Sequence, residues 1–126
     1  MNNTLLNFIN YLYYLSLIIL FTLYLFPGSL LGYILYGDFR NQPQLIDNPI
    51  GTSINHFLYF FYISILGYFS NIKQENFFKS FTFIFSISII LEFLHFLIPN
   101  RAFEFVDLSA NVTGVIFVFF FIRILR

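Results

Sequence analysis

The sequence predicts an all-α membrane protein, a bundle of four transmembrane helices, and three observations support this fold class. First, 59% of the 126 residues are hydrophobic and only 10% are charged, with a mean hydropathy of +0.80, whereas a soluble domain carries about 25% charged residues. Second, four stretches nearly free of charge are each about 20 residues long, the length that crosses a bilayer. Third, the six basic and six acidic residues cancel, which excludes a nucleic-acid binder that depends on a basic surface. The absence of Cys also excludes disulfides and thiolate metal sites.

Charges and prolines bound the four apolar stretches. The predicted spans cover about residues 5–26, 54–70, 80–98 and 106–122. Because they leave only short connections, we expect the chain, residues 1–126, to form a single integral membrane domain. The first stretch lacks a basic start and a small-residue cleavage site, so we expect an uncleaved helix rather than a signal peptide.

The longest connection is residues 27–53. Its apolar middle, Ser29 to Tyr36, is too short to cross a bilayer, so it is either a short interfacial helix or an apolar loop packed on the bundle.

Basic residues in short loops predict the orientation. One side of the predicted bundle holds two of them and the other side holds four. The pair is Arg40 and Arg101, and the larger group is Lys73, Lys79, Arg123 and Arg126. We therefore expect both termini to be cytoplasmic, and the 27–53 and 99–105 connections to lie outside.

Ionisable residues at membrane depth are costly and mark functional sites. Alternating topology places five of them at the same outer face, namely His56, Glu92, His95, Arg101 and Asp107. Their convergence predicts a single polar cluster.

Spacing within the third and fourth spans strengthens this prediction. Glu92 and His95 are three residues apart, which places them on one helix face. Asp107, Asn111 and Gly114 follow the i, i+4, i+7 pattern, and a small residue such as Gly114 lets another helix approach closely. The fourth span therefore has a small, polar inner face.

Each polar residue also has a purely structural interpretation. Asp107 can be a helix N-cap, Asn111 can hydrogen-bond a neighbouring helix, and Glu92 can form an ion pair with Arg101. His56 and His95 can be satisfied interfacial histidines.

We expect no metal and no cofactor. Glu92-x-x-His95 has the spacing of carboxylate–histidine sites, but the di-iron pattern needs two copies and the sequence has one. A zinc site built from His56, His95 and a carboxylate is the alternative.

The third and fourth spans resemble the signature of the VanZ-like family of small membrane proteins over about residues 54–114. The matching elements are His56-Phe57, Glu92-x-x-His95, Pro99-x-Arg101 and Asp107-x-x-x-Asn111-x-x-Gly114. Two positions depart from the family pattern: His95 stands where the family has Gln, and Thr52-Ser53 stand where many members have Asp-Lys. The family is named for a glycopeptide-resistance accessory protein, so the resemblance implies a multi-pass protein of the bacterial cytoplasmic membrane with a cell-envelope role.

Three functions are compatible with these residues. In the first, Arg101, supported by Glu92 and Asp107, binds an anionic lipid or a lipid-linked envelope precursor at the outer face, with Asn111 and His56 nearby. In the second, a small intramembrane enzyme acts on a lipid headgroup, and the catalytic candidates are Glu92, His95, His56 and Asp107. In the third, the polar groups, with Pro99 and Gly114, only hold the helices together, as a monomer or a homo-oligomer.

Overall fold

A computed structural model describes residues 2–72 and 77–125. In these residues the fold is all-helical, as predicted. Its helices are α1 (Asn3–Leu25), α2 (Leu30–Tyr36), α3 (Ser53–Ser70), α4 (Phe77–Leu94) and α5 (Phe105–Leu125). Lys73 and Arg126, on which the predicted orientation partly depends, lie outside the described residues.

Helix α3 is central: among the described helices it makes the most extensive contacts, with α5, α1 and α4. The core between these helices is apolar and built mainly of large side chains. Its most buried members are Leu20, Phe60, Ile63, Leu91 and Val115.

Helices α5 and α3 approach each other closely at Gly114. A Cβ atom at this position would lie 2.6 Å from the Phe57 carbonyl oxygen and 3.0 Å from the Phe61 amide nitrogen. Any larger side chain would therefore push two backbones apart. The predicted role of Gly114 in close packing is confirmed.

Two of the helices are long and apolar enough to cross a membrane, α1 and α5. Their 18-residue apolar windows are only 28% buried within the fold, so most of their apolar surface faces outward. Of the two alternatives for the apolar middle of the first connection, the helix is present, as α2, with Ser29 as its N-cap.

The connection from Gly28 to Thr52 folds back over one end of the bundle. The Ser29 amide donates to the Phe39 carbonyl oxygen at 2.7 Å. The Asn55 side chain, in the first turn of α3, accepts from the Leu45 amide at 3.0 Å and donates to the Pro43 carbonyl oxygen at 2.8 Å. These bonds hold the connection above the polar end of α3.

The third predicted span differs from the observed helix. Helix α4 begins at Phe77 and ends at Leu94, whereas the prediction was residues 80–98. After Leu94 the chain continues in turns that are tighter than those of an α-helix. The His95 amide donates to the carbonyl oxygen of Glu92, three residues back instead of four, at 3.1 Å. His95 therefore follows the helix instead of lying within its last turns.

Candidate functional site

Polar side chains from four helices meet at one end of the bundle, beneath the 28–52 connection. Tyr24 comes from the last turn of α1, His56 from the first turn of α3 and Glu92 from the last turn of α4, while Asp107 and Asn111 come from the first two turns of α5. All five are buried. The predicted convergence of His56, Glu92 and Asp107 is confirmed, since one ligand atom of each lies within 4.8 Å of the other two.

The Tyr24 hydroxyl group joins α1 to α3 and α5. Its oxygen lies 2.7 Å from His56 Nδ1 and 2.7 Å from Asn111 Oδ1. The Asn111 amide nitrogen in turn donates to the Ser88 carbonyl oxygen at 3.3 Å and to Glu92 Oε2 at 3.4 Å. The prediction that Asn111 bonds neighbouring helices is confirmed.

Glu92 is completely buried, with 0% of its surface exposed. Its Oε1 accepts from the Glu104 backbone amide at 3.2 Å and lies 3.2 Å from His95 Nδ1. Within the described residues it forms no ion pair with Arg101, so the predicted Glu92–Arg101 pair is wrong. The position of His95, in the turn directly after α4, makes the histidine the partner instead.

Asp107 is not a helix N-cap. Helix α5 begins two residues earlier, and the Glu104 carbonyl oxygen accepts the first helical bond, from the Leu108 amide. The Asp107 carboxylate instead points toward α3, where Oδ1 accepts from the Ser53 hydroxyl group at 2.5 Å and Oδ2 lies 3.6 Å from His56 Nε2.

His95 is 3% exposed, and its ring stacks on the Tyr24 ring at 5.4 Å between centroids. Its Nε2 atom is buried and has no hydrogen-bond partner within residues 2–72 and 77–125. The interpretation of His95 as a fully satisfied histidine is therefore wrong for this part of the chain.

Arg101 is held by backbone carbonyl groups of α1 and not by carboxylates. Its Nη2 donates to the Leu23 carbonyl oxygen at 2.6 Å and its Nε to that of Phe26 at 3.4 Å. Carbonyl groups at the end of a helix lack helical partners, and a cation there is favourable. Burial lowers the pKa of the Arg101 guanidinium from its ordinary value, but arginine remains charged in proteins.

A tight turn over residues 98–101 directs the Arg101 side chain toward α1. The Arg101 amide donates to the Ile98 carbonyl oxygen at 3.3 Å, and Asn100 adopts a left-handed φ of 59°. Proline at the second position and a positive φ at the third are typical of a type II turn. This turn explains Pro99 as a structural residue.

Two cavities lie beside the cluster and share four lining residues, Ser29, Gln42, His95 and Arg101. One has a volume of about 100 Å³ and apolar walls from α1, α2 and the connection, with Tyr24 and His56 at its polar end. The other has a volume of about 190 Å³. Besides Arg101, the charged residues that line this larger cavity are Arg40, Glu104 and Asp107.

The sequence analysis missed several members of the site. Tyr24, Ser53 and Gln42 carry no sequence signal that distinguishes them, since Tyr24 is one of nine tyrosines. Asp38, Arg40 and Asp47 are exposed charges of the 28–52 connection, and Arg40 also lines the larger cavity.

Comparisons of the chain with protein-family models, with curated proteins and with solved structures find no match.

Proposed function

We propose that the chain is a four-span, VanZ-like protein of the bacterial cytoplasmic membrane that binds an anionic lipid or a lipid-linked envelope precursor at the outer face. The observation that carries this proposal is the pair of adjoining cavities, which share Arg101. One is apolar, and the other is lined by two arginines and two carboxylates.

The membrane assignment is supported by the outward-facing surface of the bundle. Exposed large apolar side chains occur on all five helices, for example Phe8, Ile34, Tyr62, Phe93 and Phe120. Helices α3 and α4 have 18 residues each, which corresponds to about 27 Å, close to the ~30 Å of a bilayer core. We propose that they cross the membrane together with α1 and α5, with both termini cytoplasmic and α2 in the outer interface.

Headgroup binding is supported by the free donors of Arg101. The two backbone carbonyl groups of α1 use Nε and Nη2, and no hydrogen bond within the described residues uses Nη1. A guanidinium group that is fixed on one side and open on the other is suited to a phosphate or carboxylate group. Arg40 lines the same cavity and adds a second positive charge.

The apolar cavity accommodates the part of the ligand next to the headgroup. Leu20, Leu23, Leu30, Leu31 and Leu45 line its walls. A molecule with an anionic end and an apolar end would place each in the matching cavity, whereas a free inorganic anion would leave the apolar cavity without an occupant.

The test is retention of phosphatidylglycerol by the detergent-purified chain, measured by native mass spectrometry beside phosphatidylcholine. Charge-assisted hydrogen bonds contribute about 1.5–3 kcal/mol, so Arg40→Ala and Arg101→Gln should each weaken phosphatidylglycerol binding about 10- to 100-fold. Arg123, an exposed cation in the last turn of α5, supplies the matched control, and Arg123→Gln should bind as the wild type does.

Equal retention of both lipids by the wild type would refute the proposal. So would unchanged phosphatidylglycerol binding in both cavity variants. Arg40→Ala is the more informative of the two, because Arg40 is exposed and its loss leaves the bonds from Arg101 to α1 in place.

A further inference from the structure

We infer that His56, Glu92 and Asp107 form a binding site for one divalent transition-metal ion of the zinc type. The three residues come from three different helices, α3, α4 and α5, and one ligand atom of each lies within 4.8 Å of the others. This inference does not depend on lipid binding by Arg101.

Charge is the first reason. Glu92 and Asp107 are 0% and 7% exposed, and neither forms an ion pair with Lys or Arg within the described residues. Two carboxylates removed from water require compensation, and histidines are their only ion-pair partners in that part of the chain. A divalent cation bound between the carboxylates would make the cluster neutral.

The hydrogen-bond pattern around Tyr24 is the second and independent reason. Its hydroxyl group has one proton, and that proton goes to Asn111 Oδ1. The 2.7 Å contact to His56 Nδ1 therefore requires that Nδ1 carries a proton and donates to the Tyr24 oxygen. In the neutral ring this leaves a lone pair on His56 Nε2.

That lone pair faces a carboxylate. His56 Nε2 lies 3.6 Å from Asp107 Oδ2, which is too long for a hydrogen bond. Two ligands of a tetrahedral zinc ion, each at about 2.1 Å from the metal, lie about 3.4 Å apart. The two atoms are thus spaced as neighbouring ligands. Gln42 Nε2 lies 3.5 Å from His56 Nε2, at the limit of hydrogen bonding. A bound ion would take the place of this weak contact.

The surrounding bonds orient the ligands as outer-shell groups do in metal sites. Tyr24 accepts from the second ring nitrogen of His56, Ser53 donates to Asp107 Oδ1, and the Glu104 amide donates to Glu92 Oε1. Asp107 Oδ2 accepts no hydrogen bond from the described residues, and Glu92 Oε2 accepts only the long 3.4 Å bond from the Asn111 amide, so each of these oxygens keeps a lone pair for the ion.

The donor set identifies the class of metal. One imidazole nitrogen and two carboxylate oxygens suit Zn²⁺ and similar transition-metal ions, whereas Mg²⁺ and Ca²⁺ prefer oxygen ligands alone. Three protein ligands leave a fourth position open, as in catalytic zinc sites. Asp107 lines the larger cavity and His56 the smaller one.

The test measures zinc in the full chain, purified in detergent, stripped with a chelator and titrated with ZnCl₂. We expect one Zn²⁺ per chain and a higher unfolding temperature with ZnCl₂ than with MgCl₂. The zinc X-ray absorption spectrum should show nitrogen and oxygen ligands only. Outer-shell changes alone cost about 10- to 100-fold in affinity, so Asp107→Asn and His56→Gln should each weaken Zn²⁺ binding by more than about 100-fold.

Asp47→Asn is the matched control, because Asp47 is an exposed carboxylate that lines neither cavity, and this variant should bind Zn²⁺ as the wild type does. Asp107→Asn preserves the side-chain shape, and circular dichroism before titration verifies its fold. Absence of zinc binding in the wild type, equal stabilisation by Mg²⁺, or wild-type zinc affinity in both ligand variants would each overturn the assignment. Arg40→Ala separates the two proposals, since it should lose phosphatidylglycerol and keep zinc.

Discussion

Replacing Gly114 with alanine should loosen the contact between α5 and α3. The new Cβ would lie 2.6 Å from the Phe57 carbonyl oxygen and 3.0 Å from the Phe61 amide nitrogen. Both atoms belong to the backbone of α3, so neither can rotate away. Ordinary van der Waals contact begins at 3.4 Å, which requires the two helices to separate by 0.8 Å, the difference between 3.4 and 2.6 Å.

The expected loss of stability follows from two opposing terms. Overpacking costs about 1–3 kcal/mol, and a clash between backbones belongs at the upper end of that range. Alanine recovers about 1 kcal/mol of helix propensity relative to glycine. The net loss in the free energy of unfolding should be about 2 kcal/mol.

Gly67→Ala provides the matched control. Its Cβ would meet the ends of two side chains, Ile84 Cδ1 at 2.7 Å and Ser80 Oγ at 2.9 Å, which can rotate. We expect its stability to change by less than about 1 kcal/mol. Because the chain has no Trp, thermal unfolding in detergent is best followed by circular dichroism.

The same separation should disturb the polar site. Asp107, Asn111 and Gly114 share one face of α5, so a shift of 0.8 Å lengthens the 2.5 Å bond from Ser53 to Asp107. Gly114→Ala should therefore also weaken Zn²⁺ binding, whereas Gly67→Ala should not. Wild-type stability in Gly114→Ala beside a destabilised Gly67→Ala would refute this reasoning.

Three further substitutions test other contacts. Tyr24→Phe leaves polar atoms of His56 and Asn111 without a buried partner, at about 1–3 kcal/mol each, so its unfolding temperature should fall sharply; an unchanged value would exclude Tyr24 as the junction of the network. Ser29→Ala removes the N-cap of α2, worth about 1 kcal/mol. Limited proteolysis should then cut α2 faster while the bundle unfolds at nearly the same temperature, and equal cleavage rates would contradict the capping role. Asn100→Val places a β-branched residue at a φ of 59° and should cost about 1–2 kcal/mol. Asn100→Gly should be neutral in the same unfolding assay, and equal effects of the two substitutions would count against backbone strain at this turn.

Much of the helical layout follows from local sequence properties. Stretches free of charge predicted helices near their observed positions because length and hydropathy depend only on neighbouring residues. The exception is the end of α4, where the chain turns at His95, four residues before Pro99. The apolar residues of this turn, such as Phe96 and Leu97, are as hydrophobic as those of the helix, so hydropathy could not locate its end.

The polar face of the site was also predictable, whereas its partners were not. Asp107, Asn111 and Gly114 share a face because of the helical period alone. Arg101 was expected to pair with Glu92, because opposite charges attract. In the structure it bonds carbonyl groups of α1, which lie about 75 residues away in sequence and carry no charge that a sequence pattern reveals.

By itself, therefore, the sequence determined that the chain is helical, where its apolar stretches lie and which polar residues share a helix face, since each is a local property. Only the tertiary structure decided that Tyr24, rather than another tyrosine of α1, bridges His56 and Asn111. The reason is geometric: one helical turn advances about 5.4 Å, and a shift of α1 by that distance would place a different side chain at the centre of the site.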